Sequence, residues 1–372
     1  MPDHVPPPTG PSPERPHADI PTTRAAAAPA AAAAPTRTPA PTPTRTPTSA
    51  PEPSLRQLAA RHGLGFGTAV NLTALAGDEV YREWVATQFD TLTAENAMKW
   101  DALEPVRGRH AWGPADALVA FAEANGQRVR GHTLVWHNQN PAWLADVPPD
   151  ELGAVLKAHV QTTVRRFRGR VWQWDVVNEV FEDDGSLRDT VWLRALGPGY
   201  IADAFRWAHE ADPDALLFYN DYEVEEVNAK SDGVYDLVRE LLRQDVPIHG
   251  VGLQAHLRAD HAPLTMRENL GRFDALGLRT AVTEADVRVV LPADPVKLQA
   301  QANVYRTALR ACLLTPRCLS FTVWGYTDKY SWVPGWFEGE GAADILDENY
   351  AAKPAHRALR DDLSFGGSDR RD

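Results

Sequence analysis

The chain has 372 residues, a net charge of −12 and no run of 18 apolar residues, which leaves no candidate transmembrane helix. An acidic balance without a basic run argues against nucleic acid or an anionic membrane surface as partner. Aromatic residues are unevenly placed: residues 1–53 hold 16 of the 30 prolines and no Trp, Phe or Tyr, whereas all 12 tryptophans follow.

Residues 1–53 contain the run AAAAPAAAAAPTRTPAPTPTRTPTSAPEP. Such a composition cannot bury enough apolar surface to offset its ordering entropy, so a disordered Pro/Ala/Thr-rich tail or stiff linker is predicted. Pro29 and Pro35 break the alanine run, which lacks Leu, Ile and Val and makes a poor signal-peptide core. The remainder, residues 54–372, is expected to fold as one domain. Its predicted strands are LGFGTAV from 64, TLTAE from 91, RVRGHTLVW from 128, VWQWDVVNE from 171, ALLFYNDY from 215, GVGLQAHL from 250, RTAVTEADV from 279 and LSFTVWGY from 319. Between them lie helical periods. Residues 151–167 align Leu152, Val155, Leu156, His159 and Val160; residues 231–244 open on Ser231 as the expected N-cap and align Val234, Leu237, Val238 and Leu241; residues 303–314 are similar. Strand–helix alternation at intervals of 27–44 residues predicts parallel strands with crossover helices. Eight units fit an α/β fold of the (β/α)8 TIM-barrel type. An open doubly wound sheet is the alternative, but the glycines of GLGFGTAV sit before and inside a strand rather than opening a helix.

Seven of the strands end at residues suited to chemistry: Asn71, Glu95–Asn96, His132 through His137, Asn178–Glu179, Asn220 to Tyr222, Gln254 with His256, and Glu284 with Asp286; the eighth ends at Trp324. A closed parallel barrel brings these ends to one face. Glu179 and Glu284 are 105 residues apart, about three βα units, and so nearly opposite across that face. Facing carboxylates are what glycoside hydrolysis requires. One carries a proton, its pKa raised by burial near tryptophan and by its partner's charge, and the other stays ionised. The alternative is that each glutamate pairs with an Arg or Lys at the rim. Trp136, Trp324 and Trp332, with Tyr222 and Trp336 nearby in the chain, offer faces on which sugars stack, and Asn96, Lys99, His132, Gln139, Asn178 and Gln254 offer groups for hydroxyls. A metal hydrolase is a weaker reading: His132 and His137 fall five apart on one extended strand and so face opposite sides, and no H-E-x-x-H or C-x-x-C spacing occurs. No metal or cofactor is expected. Cys312 and Cys318, in CLLTPRC, are by spacing alone either reduced core residues or a disulfide.

WDVVNE resembles the acid/base strand of the family-10 glycoside hydrolases, the endo-β-1,4-xylanases, and VTEADV resembles their nucleophile strand. ENAMKW, GHTLVWHNQNPAW, YNDY, GLQAHL and TVWGYTDKYSW resemble the other strand-end motifs in the family's order, so the likeness spans residues 60–360. It implies a catalytic barrel that cuts internal β-1,4-xylosidic bonds of xylan or xylo-oligosaccharides by a retaining double displacement. Glu179 would be general acid and then base, and Glu284 the nucleophile. Asn178 would bind the 2-hydroxyl of the reacting sugar. His256 would orient Glu284, and Asp286 would steady His256. Gln254 and Trp136 would lie around the acid/base and the reacting ring. Glu95, Asn96, Lys99, His132 and Gln139 would hold the non-reducing side, Trp324 and Trp332 would cover the sugar, and Tyr222 would sit by the nucleophile on the leaving-group side. The likeness also implies a Cys312–Cys318 disulfide and a secreted protein, here expected as a monomer; without an ordinary signal, intracellular action on imported oligosaccharides stays open. Two departures stand out. Ala285 follows the expected nucleophile where the family usually has Leu, and Tyr326–Thr327–Asp328–Lys329 carries no Arg where members often have one. A related β-glycanase acting on β-1,4-glucan or short xylo-oligosaccharides is the alternative function. A non-catalytic carbohydrate-binding barrel is more remote, because both glutamates and the supporting histidine are present.

Overall fold

Alternating apolar runs and amphipathic segments resolve, in the computed structural model, into eight parallel strands: β1 Gly65–Val70, β2 Thr91–Ala94, β3 Arg128–Gly131, β4 Val171–Asn178, β5 Leu216–Asp221, β6 Gly250–Leu253, β7 Arg279–Val290 and β8 Cys318–Val323. The structure describes residues 52–365. The tail predicted over 1–53 lies outside them except for its last two residues, and these are held down. Arg360 donates to the Pro53 carbonyl at 2.8 Å and pairs with Glu52 at 2.9 Å.

Each strand pairs in parallel with the next, from β1–β2 round to β7–β8. Closure is made by β8 on β1, with Gly65 opposite Ser320 and Thr68 opposite Val323. The barrel alternative therefore holds over the open sheet. Closure removes free edges and buries both faces of every strand, which is why the strands read as near-continuous apolar runs. Two short segments extend the outer end of β7: His256–Arg258 pairs parallel to it and Glu340–Gly341 antiparallel.

The helices follow the predicted periods with two differences at their starts. Helix Leu152–Arg166 buries Leu152, Leu156, His159 and Val160 as the pattern requires. The next predicted helix opens three residues earlier, at Ala229, and its cap is Asn228, not Ser231. Asn228 Oδ1 accepts from Ser231 N (2.8 Å) while Ser231 Oγ accepts from Asn228 N (2.9 Å). Ser231 is thus the third-residue half of a capping box, a role that a serine performs with the same chemistry as a cap. Helix Pro295–Leu313 also begins earlier than predicted, because Asp294 accepts from Val296 N and Lys297 N and Pro295 is preorganised for the first turn.

A charged pair is built into the barrel wall. Arg130 of β3 and Asp175 of β4 are both buried; Arg130 Nε donates to Asp175 Oδ1 (3.2 Å) and its Nη2 to Oδ2. An isolated charge here would cost several kcal/mol, so each is tolerated only through the other. Beside them Gly131 is obligatory on space: a Cβ there would lie 2.1 Å from the Trp174 ring.

Candidate active site

Glu284 projects from β7 and is 3 % exposed. Oε1 accepts from Asn220 Nδ2 of β5 at 2.8 Å, with Arg130 Nη2 at 3.5 Å and His132 Nδ1 at 3.6 Å. Oε2 faces His256 Nε2 at 3.3 Å. On the far side of that ring, Nδ1 lies 2.9 Å from Asp286 Oδ2, which also accepts from Trp332 Nε1 at 2.7 Å. Burial pushes the Glu284 carboxyl up, but His132, His256 and Arg130 together outweigh it and hold the group well below the usual carboxylate range. Burial likewise opposes charge on His256, and Asp286 and Glu284 overcome it, so His256 is pushed up to about 10. Glu284 and His256 thus form an anion–cation pair, with the Asp286 carboxyl group against the far side of the ring.

Asn220 fixes the lateral position of Glu284. Its Oδ1 accepts from Thr283 Oγ1 at 2.7 Å, which orients the amide so that Nδ2 can reach both Glu284 and Asn178 Oδ1 (2.9 Å). The amide passes so close over β6 that a Cβ on Gly252 would be 2.3 Å from Asn220 Oδ1.

Glu179 is the first residue beyond β4. Its φ of 57° lies in the left-handed region, sparsely populated by residues with a side chain, and it turns the chain out of the strand. The turn is secured by Glu179 N donating to the Asn220 carbonyl at 3.0 Å. Its carboxylate is bound by neutral donors: Trp136 Nε1 on Oε2 (2.8 Å), and Asn178 Nδ2 (3.1 Å) and Gln254 Nε2 (3.0 Å) on Oε1. His137 Nδ1 stands 3.9 Å from Oε2. Hydrogen bonds therefore run without a break from Glu179 through Asn178 and Asn220 to Glu284, which places the two carboxylates in one site. The alternative of rim pairing is half met. Glu284 does touch an arginine, but from beneath, inside the barrel, and the Arg188 contact of Glu179 goes to its backbone carbonyl at 3.1 Å.

The binding candidates gather around this pair. Asn96 Oδ1 accepts from Lys99 Nζ (3.1 Å) and Gln139 Nε2 (3.3 Å), and the Lys99 ammonium lies 5.1 Å from the Trp136 ring centroid and 6.0 Å from that of Trp324. Burial lowers the pKa of Lys99, while Glu284, Glu95 and Glu179 pull it back. Burial raises Glu95, beside Asn71 and Lys99. Trp324 stands edge-on to His132 and His256, at 5.2 and 6.2 Å between centroids, and Trp332 is 5.0 Å from His256. Tyr222 is placed differently from the rest. Its hydroxyl accepts from Arg188 Nη2 at 2.8 Å, in the loop after Glu179, and its ring is faced at 3.2 Å by Lys230 Nζ, from the first turn of helix Ala229–Arg243.

Three features differ from expectation or were not foreseen. His132 and His137 do not face opposite sides: β3 stops at Gly131, the period of two stops with it, and the following turn brings His132 to Glu284 and His137 to Glu179. His132, Asp175 and Glu284 hold donor atoms within 4.8 Å of one another, a set that could ligate a metal, but the Arg130 guanidinium already supplies the positive charge between these carboxylates. Arg130 and Asn220 were assigned no role from sequence. The readable signal was an arginine and an aspartate in the interiors of neighbouring apolar strands. Cys312 and Cys318 form a disulfide, with their Cα atoms 5.3 Å apart.

Residues 54–362 match the model of glycosyl hydrolase family 10. The chain is 45 % identical over 315 residues to endo-1,4-beta-xylanase B of Thermotoga neapolitana, an alignment covering 82 % of this chain and 90 % of that one. Among solved structures it superposes on native xylanase 10B from Thermotoga maritima with a TM-score of 0.83 at 45 % identity, covering 85 % of this chain and all of that one. It superposes on xylanase 10B from Thermotoga petrophila RKU-1 in complex with xylobiose with a TM-score of 0.82 at 44 % identity, covering 85 % and 98 %. The chain therefore belongs to glycosyl hydrolase family 10, with the activity of an endo-1,4-β-xylanase.

Proposed function

We propose that the enzyme cuts internal β-1,4-xylosidic bonds of xylan and xylo-oligosaccharides with retention of anomeric configuration, by double displacement through a covalent glycosyl-enzyme. The observation that carries this reading is the cationic surround of Glu284. A carboxylate held ionised by His256, His132 and Arg130 is suited to attack an anomeric carbon and unsuited to deliver a proton. Glu284 attacks C1 while Glu179 gives its proton to the departing oxygen. Glu179 then takes a proton from water, and that water attacks C1 and releases Glu284. Asn178, tied to Asn220 and to Glu179, presents its amide to the 2-hydroxyl. Gln254 and Trp136 orient the Glu179 carboxyl. Glu95, Asn96, Lys99, His132 and Gln139 bind the glycone, Trp324 and Trp332 cover it, and Tyr222 receives the leaving-group side. The Thermotoga petrophila relative, crystallised with xylobiose, supports the substrate class.

The reading extends to a single-chain enzyme working outside the cell, where the Cys312–Cys318 disulfide persists and the polymer is found. Proton NMR of freshly cleaved xylohexaose tests the mechanism: the β-anomer is expected to accumulate first, before mutarotation. Immediate appearance of the α-anomer overturns retention and with it the nucleophile role of Glu284.

A further inference from the structure

Beyond β8 the chain returns to the barrel through residues 342–347. Val287 N donates to the Ala343 carbonyl at 3.1 Å, which lays Asp344 against β7 beside Asp286. Asp344 is 0 % exposed, and among the described residues no well-formed hydrogen bond reaches either oxygen of its carboxyl group, the Ser331 hydroxyl standing nearby as a weak donor. Asp286 Oδ1 is buried and without a partner among the described residues as well. Gly325 closes over the group, where a Cβ would stand 3.5 Å from Asp344 Oδ1.

The cations nearest this point are already engaged without Asp344. Lys353 Nζ donates to Asp328 Oδ2 (2.8 Å) and to the Ala342 carbonyl (2.7 Å), and His256 pairs with Asp286. Asp328 Oδ1 accepts the backbone N–H of Asp344 itself, at 2.9 Å. The groups that face Asp344 are Asp286 from β7, Asp328 and Ser331 from the segment after β8, Lys353, Tyr305 from helix Pro295–Leu313 and Tyr81 from helix Glu79–Gln88. Among the described residues no cation pairs with the Asp344 carboxyl, because Lys353 is engaged with Asp328. Burial, Asp328 and Asp286 all push the Asp344 carboxyl well above its ordinary range, against weaker pulls from Lys353 and Ser331. An ionised group buried without a partner is costly, and the neutral acid avoids that cost. The neutral acid also has an O–H that must donate, and Asp286 Oδ1 is a buried acceptor with no other donor.

We propose that Asp344 is a positioning residue for the hydrolytic reaction: as a neutral acid it donates toward Asp286 Oδ1 and fixes the carboxylate that aligns His256 against Glu284. Trp332 Nε1 secures the other oxygen of Asp286, so the two donors together immobilise it. A carboxylic acid kept protonated so that it can donate is a known use of an apolar, anion-rich pocket. The proposal rests on the reading of Glu284 as nucleophile.

Full-length variants with xylohexaose as substrate test it. Asp344→Asn keeps a neutral donor, so kcat, KM and the pH profile are expected to stay within about twofold of wild type. The wild-type-minus-variant infrared spectrum at neutral pH is expected to contain a protonated-carboxyl C=O band. Asp344→Ala removes the donor, and kcat is expected to fall about tenfold, the equivalent of one hydrogen bond to a charged group, at unchanged KM. Absence of the infrared band, or an alkaline limb displaced to lower pH in Asp344→Asn, would mean that Asp344 is charged and overturns the proposal. Wild-type turnover by Asp344→Ala overturns it equally. Should Asp344→Ala not fold, the spectrum and the Asp344→Asn profile decide alone. Turnover retained by Glu284→Ala would remove the nucleophile reading, whereas the infrared band reports the Asp344 proton regardless of activity.

Discussion

Glu284 is surrounded by charge: Arg130 and His132 approach one oxygen and His256 the other, and Asp286 anchors that histidine from behind. Glu179, one hydrogen-bonded path away, is surrounded by the neutral N–H groups of Trp136, Asn178 and Gln254, with a histidine at 3.9 Å. Its side chain is 12 % exposed against 4 % for Glu284. The same residue type thus sits in two unlike surroundings. Cations commit a carboxylate to being an anion, which suits the nucleophile proposed for Glu284, whereas dipolar donors orient the carboxyl proposed as acid and base.

Deleting one member of each neighbourhood separates them. Glu284→Ala is expected to lower kcat by about 10⁴-fold or more with the fold intact, because the nucleophile proposed at this position has no substitute among the cations and the amide around it. Steady-state kinetics on xylan beside a circular dichroism spectrum measure this, and near-normal turnover would end the distinction drawn here. Arg130→Met leaves Asp175 and Glu284 buried with less counter-charge, and a loss of about 3–5 kcal/mol in denaturant stability is expected. An unchanged unfolding midpoint would show that charge is not what holds the Glu284 side together.

The pH dependence of stability sharpens the contrast. His256 is raised in the fold, from 6.5 to about 10, so its contribution is fully present below pH 6.5 and is lost as pH rises through about 10. Each unit of the shift corresponds to about 1.4 kcal/mol, so a decline of a few kcal/mol between pH 7 and 10 is expected. His256→Asn should flatten that decline in thermal melts, and an equally steep variant curve would locate the alkaline sensitivity elsewhere. The smallest effect is expected far from both carboxylates. Replacing Cys312 and Cys318 by Ser opens a loop with a sequence separation of 6, with a loss of about 2 kcal/mol in chemical denaturation and no change in kcat.

All eight strands were legible because apolar runs of strand length alternated with helical periods, and in a parallel barrel that alternation admits few topologies. The strand-end glutamates were legible because a polar residue at the end of a doubly buried strand needs a reason. His137 was misread because the period of two was carried past Gly131, where the sheet ends and the chain turns. Ser231 was misread because a capping box uses two similar side chains, and Asn228 lay just outside the periodic stretch. Arg130 was passed over because its partner Asp175 lies 45 residues away in sequence and on the next strand in space.

By itself the amino-acid order determined the strand and helix periods, the polar residues that terminate the strands and the two glutamates a constant number of units apart, since these depend on local spacing. Closure of β8 onto β1 decided which of those residues meet. It set Arg130 and His132 under Glu284, placed Asn220 between Glu284 and Asn178 and left Asp344 without a paired counter-ion. These are lateral contacts between distant segments, and their strength depends on burial and distance that exist only once the barrel is closed.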